Sequence, residues 1–281
     1  MLTTIEITKI KQNFRTKLSQ FVQTLKTQVS TESNEWTIKG FIDIFKNIYT
    51  ISADTKIISK ILEIHILPKL LQFASDNNYK IILADHQNYY PDLSFVEIEN
   101  ENIKFAIDLK TTYRKPENPE FCNGFTLGSH GEYFVNRTSK KNIQFPYNDY
   151  LGHFCLGIIY SRTTSNTISE LSIHPVSKLK SIVSVINDFE FFVCEKWELA
   201  SDRSGSGNTA NIGSITKIED IILGNGLFKK LGEHIFDDYW MNYGKITIRD
   251  KTGKEIKIRN LHDFLLYRGI DTNKINKKGR Q

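Results

Sequence analysis

The sequence predicts an α+β fold, and three observations carry that expectation. Ile7, Ile10, Phe14, Leu18, Phe21, Leu25 and Val29 recur in steps of three and four, which places them on one face of a long helix. Between Tyr79 and Tyr113 the pattern changes to short β-rich runs, Tyr79 to Leu83, Leu93 to Ile98 and Ile103 to Tyr113, separated by polar turns such as Glu99-Asn100-Glu101-Asn102. These runs read as a meander of antiparallel strands. No Pro/Ser linker, internal repeat or low-complexity tract divides the 281 residues, so one domain with subdomains is expected: a helical region over 1–50, a core over 52–270 and a basic tail over 271–281.

The opening helix would bury its apolar face in a core, and such a face can also serve as a contact for a second chain. A second helix is expected from Asp54, a side chain suited to capping, through Ile57, Ile61 and Leu62, with a kink or break at Pro68. The apolar segments Tyr150 to Tyr160, Ile182 to Ile186 and Phe189 to Trp197 fit buried helix or strand, and periodicity does not separate the two. Lys245 to Arg249 and Glu255 to Arg259 alternate around Asp250-Lys251-Thr252-Gly253, the pattern of a hairpin.

Composition narrows the function classes. A hydrophobic fraction of 40% suffices for a core, and the N-terminus, Met1-Leu2-Thr3-Thr4-Ile5-Glu6, has no basic leader followed by an apolar run, so a cytoplasmic protein without a membrane segment is expected. Cys122, Cys155 and Cys194 lie far apart and form no CxxC pair, which points to reduced, buried thiols and away from zinc. The seven histidines are scattered without an HExxH pattern, so histidine-based metal or nucleophilic chemistry is not expected. From Gly244 to Gln281 eleven Lys or Arg face four Asp or Glu, a net of +7 against +5 for the whole chain, so the preceding residues carry −2. Such an asymmetry suits a surface that meets phosphates.

The chemistry concentrates in Ile103-Lys104-Phe105-Ala106-Ile107-Asp108-Leu109-Lys110. Strand alternation puts Ile103, Phe105, Ile107 and Leu109 on a core face and Lys104, Ala106, Asp108 and Lys110 on the other, so a carboxylate and an ammonium stand side by side. Upstream, Tyr90-Pro91-Asp92 supplies a second carboxylate at the start of the neighbouring strand, within reach of Asp108 by hairpin pairing. Together they spell PD…(D/E)xK. An anionic phosphodiester repels an attacking hydroxide. A divalent cation held by two carboxylates neutralises that charge and acidifies a bound water. A nearby lysine stabilises the attacking hydroxide or the transition state, an effect worth about 10²-fold or more at a desolvated site. Mg2+ is the expected ion, with Mn2+ as a substitute.

A wider set of residues supports this reading. The segments Gln87-Asn88-Tyr89-Tyr90-Pro91-Asp92-Leu93 and Ala106-Ile107-Asp108-Leu109-Lys110-Thr111-Thr112-Tyr113 occur in order with Phe125-Thr126-Leu127-Gly128, Lys141-Asn142-Ile143, Phe145-Pro146-Tyr147 and Ser204-Gly205-Ser206-Gly207-Asn208-Thr209-Ala210-Asn211-Ile212-Gly213-Ser214, and upstream with Asp54-Thr55-Lys56 and Glu63. From about residue 52 to 270 the chain thereby resembles the EcoRV-type type II restriction endonucleases of the PD-(D/E)xK superfamily. The resemblance implies a PD-(D/E)xK restriction-endonuclease-like core, a mixed, mainly antiparallel sheet flanked by helices, in a homodimer that cuts both strands of a palindrome in double-stranded DNA. It assigns Asp92, Asp108 and Lys110 to catalysis, Asp92, Asp108 and Glu63 to the metal, and Lys56 to phosphate or water support. By the same resemblance residues 1–50 would include the dimerisation region.

Composition alone would make Gly205 to Gly213 a flexible linker; it is not a P-loop, since no Gly-Lys-Ser/Thr follows, and no nucleotide cofactor is expected. The resemblance makes it the loop that enters the major groove, with Gly205, Ser206, Gly207, Asn208, Thr209 and Asn211 at DNA-contacting positions. Gln87 and Asn88 would run along the minor groove, and Thr111, Thr112 and Lys141 lie in further matching segments. Lys245 and Arg249 are candidates for phosphate contact. The implied target is GATATC, cut bluntly at a flexible TA step. Departures from the family, an N-terminal extension of roughly eighteen residues, insertions around Arg114 to Asn123 and near Ile168 to Val185, the altered Ser129-His130-Gly131-Glu132, and Ala210 for a family Thr, leave a related site open. Two rival classes share the motif or the charge: a structure-selective repair or recombination nuclease, which the glycine loop disfavours, and a non-catalytic DNA-binding module.

Overall fold

The computed structural model describes residues 2–86, 88–163, 172–205, 210–249 and 253–276. The helices are α1 (Thr4–Val29), α2 (Thr55–Asp76), α3 (Glu132–Val135), α4 (Lys196–Leu199), α5 (Ile218–Ile222), α6 (Glu233–Asn242) and α7 (Leu261–Arg268). The strands are β1 (Gly40–Ile42), β2 (Asn47–Thr50), β3 (Tyr79–Leu83), β4 (Leu93–Glu97), β5 (Lys104–Lys115), β6 (Asn118–Cys122), β7 (Thr126–Ser129), β8 (Gly152–Arg162), β9 (Ile173–Pro175), β10 (Ile186–Glu195), β11 (Ala200–Ser204), β12 (Asn211–Ser214), β13 (Thr247–Arg249) and β14 (Glu255–Lys257). The largest sheet runs β10-β8-β5-β4-β3, with β6 paired to β5; smaller sheets are β1-β2-β9, β11-β12-β7 and β13-β14. Antiparallel ladders join β4 to β5 and β1 to β2, and a parallel bridge links Tyr90 to Ile143, so the architecture is the mixed, mainly antiparallel α+β arrangement expected.

The chain forms two compact units, each assembled from separated segments. One comprises Met1–Lys80, Leu109–Asn123 and Leu156–Val193. Here Thr3 caps α1 in a reciprocal box with Glu6, and Phe14, Leu18, Val22, Leu25 and Val29 are buried. Phe73 of α2 meets Phe21 and Phe14 at ring distances of 4.8 and 6.4 Å, so the α1 stripe is core. Asp54 caps α2 as expected, its carboxylate accepting from the N–H of Lys56 and Ile57. The helix does not break at Pro68 but continues to Asp76. Leu70, Phe73 and Ala74 beyond the proline are buried, and burying three apolar side chains at about 1.5–3 kcal/mol each for the larger ones offsets the roughly 3 kcal/mol a helical proline costs.

The other unit comprises Ile81–Asp108, Gly124–Cys155 and Cys194–Gln281. Its core joins the start of β5, the β11-β12-β7 sheet and an aromatic cluster of Phe228, Phe236, Tyr239, Trp240 and Phe264. The segments left open between helix and strand resolve differently. Tyr150 to Tyr160 becomes most of β8, and Phe189 to Trp197 becomes β10 followed by the start of α4. Ile182 to Ile186 is neither, being irregular chain up to its last residue, where β10 begins, although Ile182 and Val185 are buried. The basic hairpin forms as β13-β14 with Thr247 opposite Lys257; Asp250, Lys251 and Thr252 of its turn, and residues 277–281 of the basic tail, lie outside the described residues. All three cysteines are buried and free.

Candidate active site and glycine-rich hairpin

β4 and β5 pair antiparallel with Leu93 opposite Ile107 and Phe95 opposite Phe105. Asp92 stands one residue before that first pair and Asp108 one residue after it on the partner strand, so the two carboxylate residues flank the same end of the ladder. Lys110 follows two positions along β5, hence on the same sheet face as Asp108. The face opposite the expected core face is covered as well: Ala106 is fully buried and Asp108 is only 5% exposed, while Asp92 and Lys110 are half-buried.

Lys56 and Glu63 both lie on α2, the first exposed and the second half-buried with its carboxylate 2.7 Å from the Lys60 ammonium. Thr111 is half-buried, and Thr112 is buried, its hydroxyl donating to the Asn123 carbonyl at 2.6 Å. Asn88 and Lys141 are exposed. Lys245 donates to the Met241 carbonyl at 2.8 Å, and exposed Arg249 lies 3.8 Å from Glu255 across the hairpin. Gln87, Ser206, Gly207, Asn208 and Thr209 fall outside the described residues.

The described residues of the glycine-rich segment, Gly205 and Ala210 to Gly213, stand where β11 and β12 pair. The Gly205 N–H donates to the Asn211 carbonyl at 2.7 Å, and β12 pairs with β7, Asn211 opposite Ser129. The Ala210 carbonyl accepts from the His130 N–H at 2.8 Å. The flanking glycines have a structural duty. A Cβ on Gly213 would sit 2.6 Å from the Arg203 carbonyl oxygen, and one on Gly205 2.7 Å from the Thr126 methyl, so any side chain would push the hairpin off its neighbours.

Sequence reasoning missed the groups behind this region. Tyr90, adjacent to Pro91-Asp92, stacks on Tyr133 at 5.4 Å and 8°, and the buried Lys196 ammonium lies 4.1 Å from the Tyr90 ring centre. The Tyr90 hydroxyl is 3.0 Å from His153 Nδ1, and His153 Nε2 is 3.2 Å from the Tyr147 carbonyl. A carbonyl only accepts, so Nε2 carries the proton, and in the neutral ring Nδ1 accepts from Tyr90. Burial, reinforced by Tyr147 and by the Asp108 charge, holds the Tyr90 phenol well above its ordinary range, so it stays neutral. The available signal was a lysine in the aromatic-rich segment Phe189 to Leu199, among Glu190, Glu195 and Glu198.

A family model for restriction endonuclease EcoRV matches residues 32–269. The type II restriction enzyme EcoRV of Escherichia coli is 34% identical over 239 residues, covering 85% of this chain and 94% of that protein. The chain belongs to the EcoRV family of restriction endonucleases. EcoRV-family membership makes it a site-specific deoxyribonuclease, a hydrolase whose substrate is DNA, and enzymes of this kind depend on a metal ion. Among the described residues no three His, Cys, Asp or Glu side chains form a closed metal cage. The pair of carboxylates at the ladder end suits instead a hard cation that keeps sites open for water and phosphate. Asp108, 5% exposed, offers such a cation hard carboxylate oxygens on a buried and regular stretch of sheet.

Proposed function

We propose that this chain is a homodimeric, Mg2+-dependent type II restriction endonuclease that cuts both strands of a short palindrome, GATATC or a related site, bluntly, leaving 5'-phosphate and 3'-hydroxyl ends. The observation that carries the reading is the placement of Asp92 and Asp108 at one end of the β4–β5 ladder, with Lys110 next on the same face, in a chain of this family. Asp92 and Asp108 hold the cation, with Glu63 as a further ligand and Lys56 supporting the phosphate or a water. When bound, the ion neutralises the scissile phosphate and acidifies a water. Lys110 places its positive charge where charge develops on the attacking and phosphoryl oxygens. Base reading falls to Gly205, Ser206, Gly207, Asn208, Thr209 and Asn211, with Gln87 and Asn88 in the minor groove and Thr111, Lys141, Lys245 and Arg249 along the backbone; Thr112, expected among them, is buried with its hydroxyl on the Asn123 carbonyl and is left out. The described residues include no helix long and apolar enough to cross a membrane, and the proposed place of action is the cytoplasm of a prokaryotic cell, on DNA.

The second copy has a candidate surface. On β1-β2-β9, Phe41 is opposite Tyr49 and Tyr49 opposite Ile173, and all three are exposed. With Ile44 (89% exposed) and Phe45 (78%) on the connecting turn, they make an apolar patch of the kind that marks an interface. Because α1 buries its own stripe, this sheet and not α1 is the proposed contact. Digestion of a sequenced plasmid with Mg2+, with cut ends mapped, tests the function: blunt cuts at one palindrome support it, and random nicking or no cutting refutes it. Light scattering tests the dimer; a monomer at micromolar concentration, or a dimer unaffected by Phe45→Glu, refutes this surface.

A further inference from the structure

Three structures meet within one compact unit: the Tyr90 approach to Asp92, the strand β7, and the chain between β10 and β11 that carries Lys196. Lys196 is 1% exposed, its ammonium 4.1 Å from the Tyr90 ring centre and 5.9 Å from that of Tyr147. It also abuts Gly128 of β7, where a Cβ would lie 3.0 Å from Nζ and 3.2 Å from the Tyr133 hydroxyl, and where φ is +87°. The Ser129 N–H donates to the Tyr133 hydroxyl at 3.1 Å, and the Tyr133 ring stacks on Tyr90. Ser129 in turn is the register partner of Asn211 on the glycine-rich hairpin. A continuous series of contacts thus runs from Asn211 through β7 and Tyr133 to Tyr90, two residues before Asp92, with Lys196 against both ends of the β7–Tyr90 step.

The buried ammonium acts electrostatically on the Asp237 carboxylate as well as on the Tyr90 ring. A buried ammonium is costly to desolvate, and a methionine of similar length in an aromatic niche would be less so. Its charge does, however, attract the face of Tyr90 in a direction-specific way. We propose that Lys196 and Tyr133 are positioning residues that couple the seating of the β11-β12 hairpin on DNA to the alignment of Asp92, so that base recognition and assembly of the catalytic carboxylates are one event. The inference rests on the proposed base-reading role of Asn211.

The test is a double-mutant cycle on the full chain, using a duplex bearing the mapped palindrome and a scrambled duplex. Single-turnover cleavage, the metal-free preference for the palindromic over the scrambled duplex, and thermal unfolding are measured for Lys196→Met, Lys196→Arg, Tyr133→Phe, Asn211→Ala, Lys196→Met/Asn211→Ala and Tyr133→Phe/Asn211→Ala. Lys196→Met should slow cleavage about 10-fold or more and reduce the metal-free preference, with Lys196→Arg recovering much of both; added to Asn211→Ala it should cost less than about 2-fold. Equal costs of Lys196→Met in both backgrounds, or wild-type behaviour of Lys196→Met, would overturn the coupling. Should Lys196→Met fail to fold, Tyr133→Phe, which keeps the ring and removes the hydroxyl, carries the same cycle with the same criteria. If Asn211→Ala alone changes neither cleavage nor preference, the base-reading assignment has failed and the coupling falls with it, an outcome distinct from multiplying effects.

Discussion

Where β4 meets β5, the four residue pairs from Leu93–Ile107 to Val96–Lys104 stay in register, and the carboxylate just past them is almost fully buried. Where β11 meets β12, register slips between Ala200 and Ser204 and slips again toward β7 between Asn211 and Gly213, and the sequence between the two strands is rich in glycine and small polar residues. The contrast separates two needs. On the proposed roles, carboxylates that are to hold a metal sit on regular sheet, whereas the segment proposed to follow base edges is made from backbone that close packing lets approach its neighbours.

The largest effect should come from the ladder. Lys110→Ala is expected to lower single-turnover cleavage by about 10²–10³-fold while leaving metal-free DNA affinity nearly unchanged in gel-shift assays. If affinity fell in proportion, the ladder would be a binding surface and the contrast would collapse. Next, Gly213→Ala should destabilise the fold by about 1–3 kcal/mol in urea unfolding, because its methyl would meet the Arg203 carbonyl at 2.6 Å. An unchanged midpoint would mean that the hairpin yields more readily than its packing implies. Asn211→Ala, on the same hairpin, should relax discrimination at one base position by about 1–3 kcal/mol, read as relative cleavage of single-substituted sites, without loss of stability. The smallest effect is expected at the exposed β13-β14 hairpin, where Arg249→Ala should weaken all DNA sequences alike and reduce the slope of log affinity against log salt by about 1.

Legibility in the sequence followed the range of the interactions. Helix α1, the cap at Asp54, strand β3 and the β4–β5 pair were readable because capping and strand alternation act between residues a few positions apart. The catalytic candidates were readable for the same reason, Asp108 and Lys110 being neighbours on one strand face and Asp92 one hairpin away. Pro68 misled because its local cost competes with burial of Leu70 and Phe73, which the local pattern does not weigh. The segment Ile182 to Val185 misled because buried apolar chain need not be regular.

The sequence by itself thus determined the α+β class, the family and the carboxylate–carboxylate–lysine pattern, since each is carried by residue type and short spacing. Tertiary structure alone decided that both faces of β5 are covered at Asp108, that the apolar sheet left exposed is β1-β2-β9 and not α1, and that Lys196, Tyr133 and Tyr90 meet. The physical reason is that burial, stacking and close approach of a side chain to a glycine depend on groups 40 to more than 100 residues apart in the chain, whose proximity is a property of the packed fold.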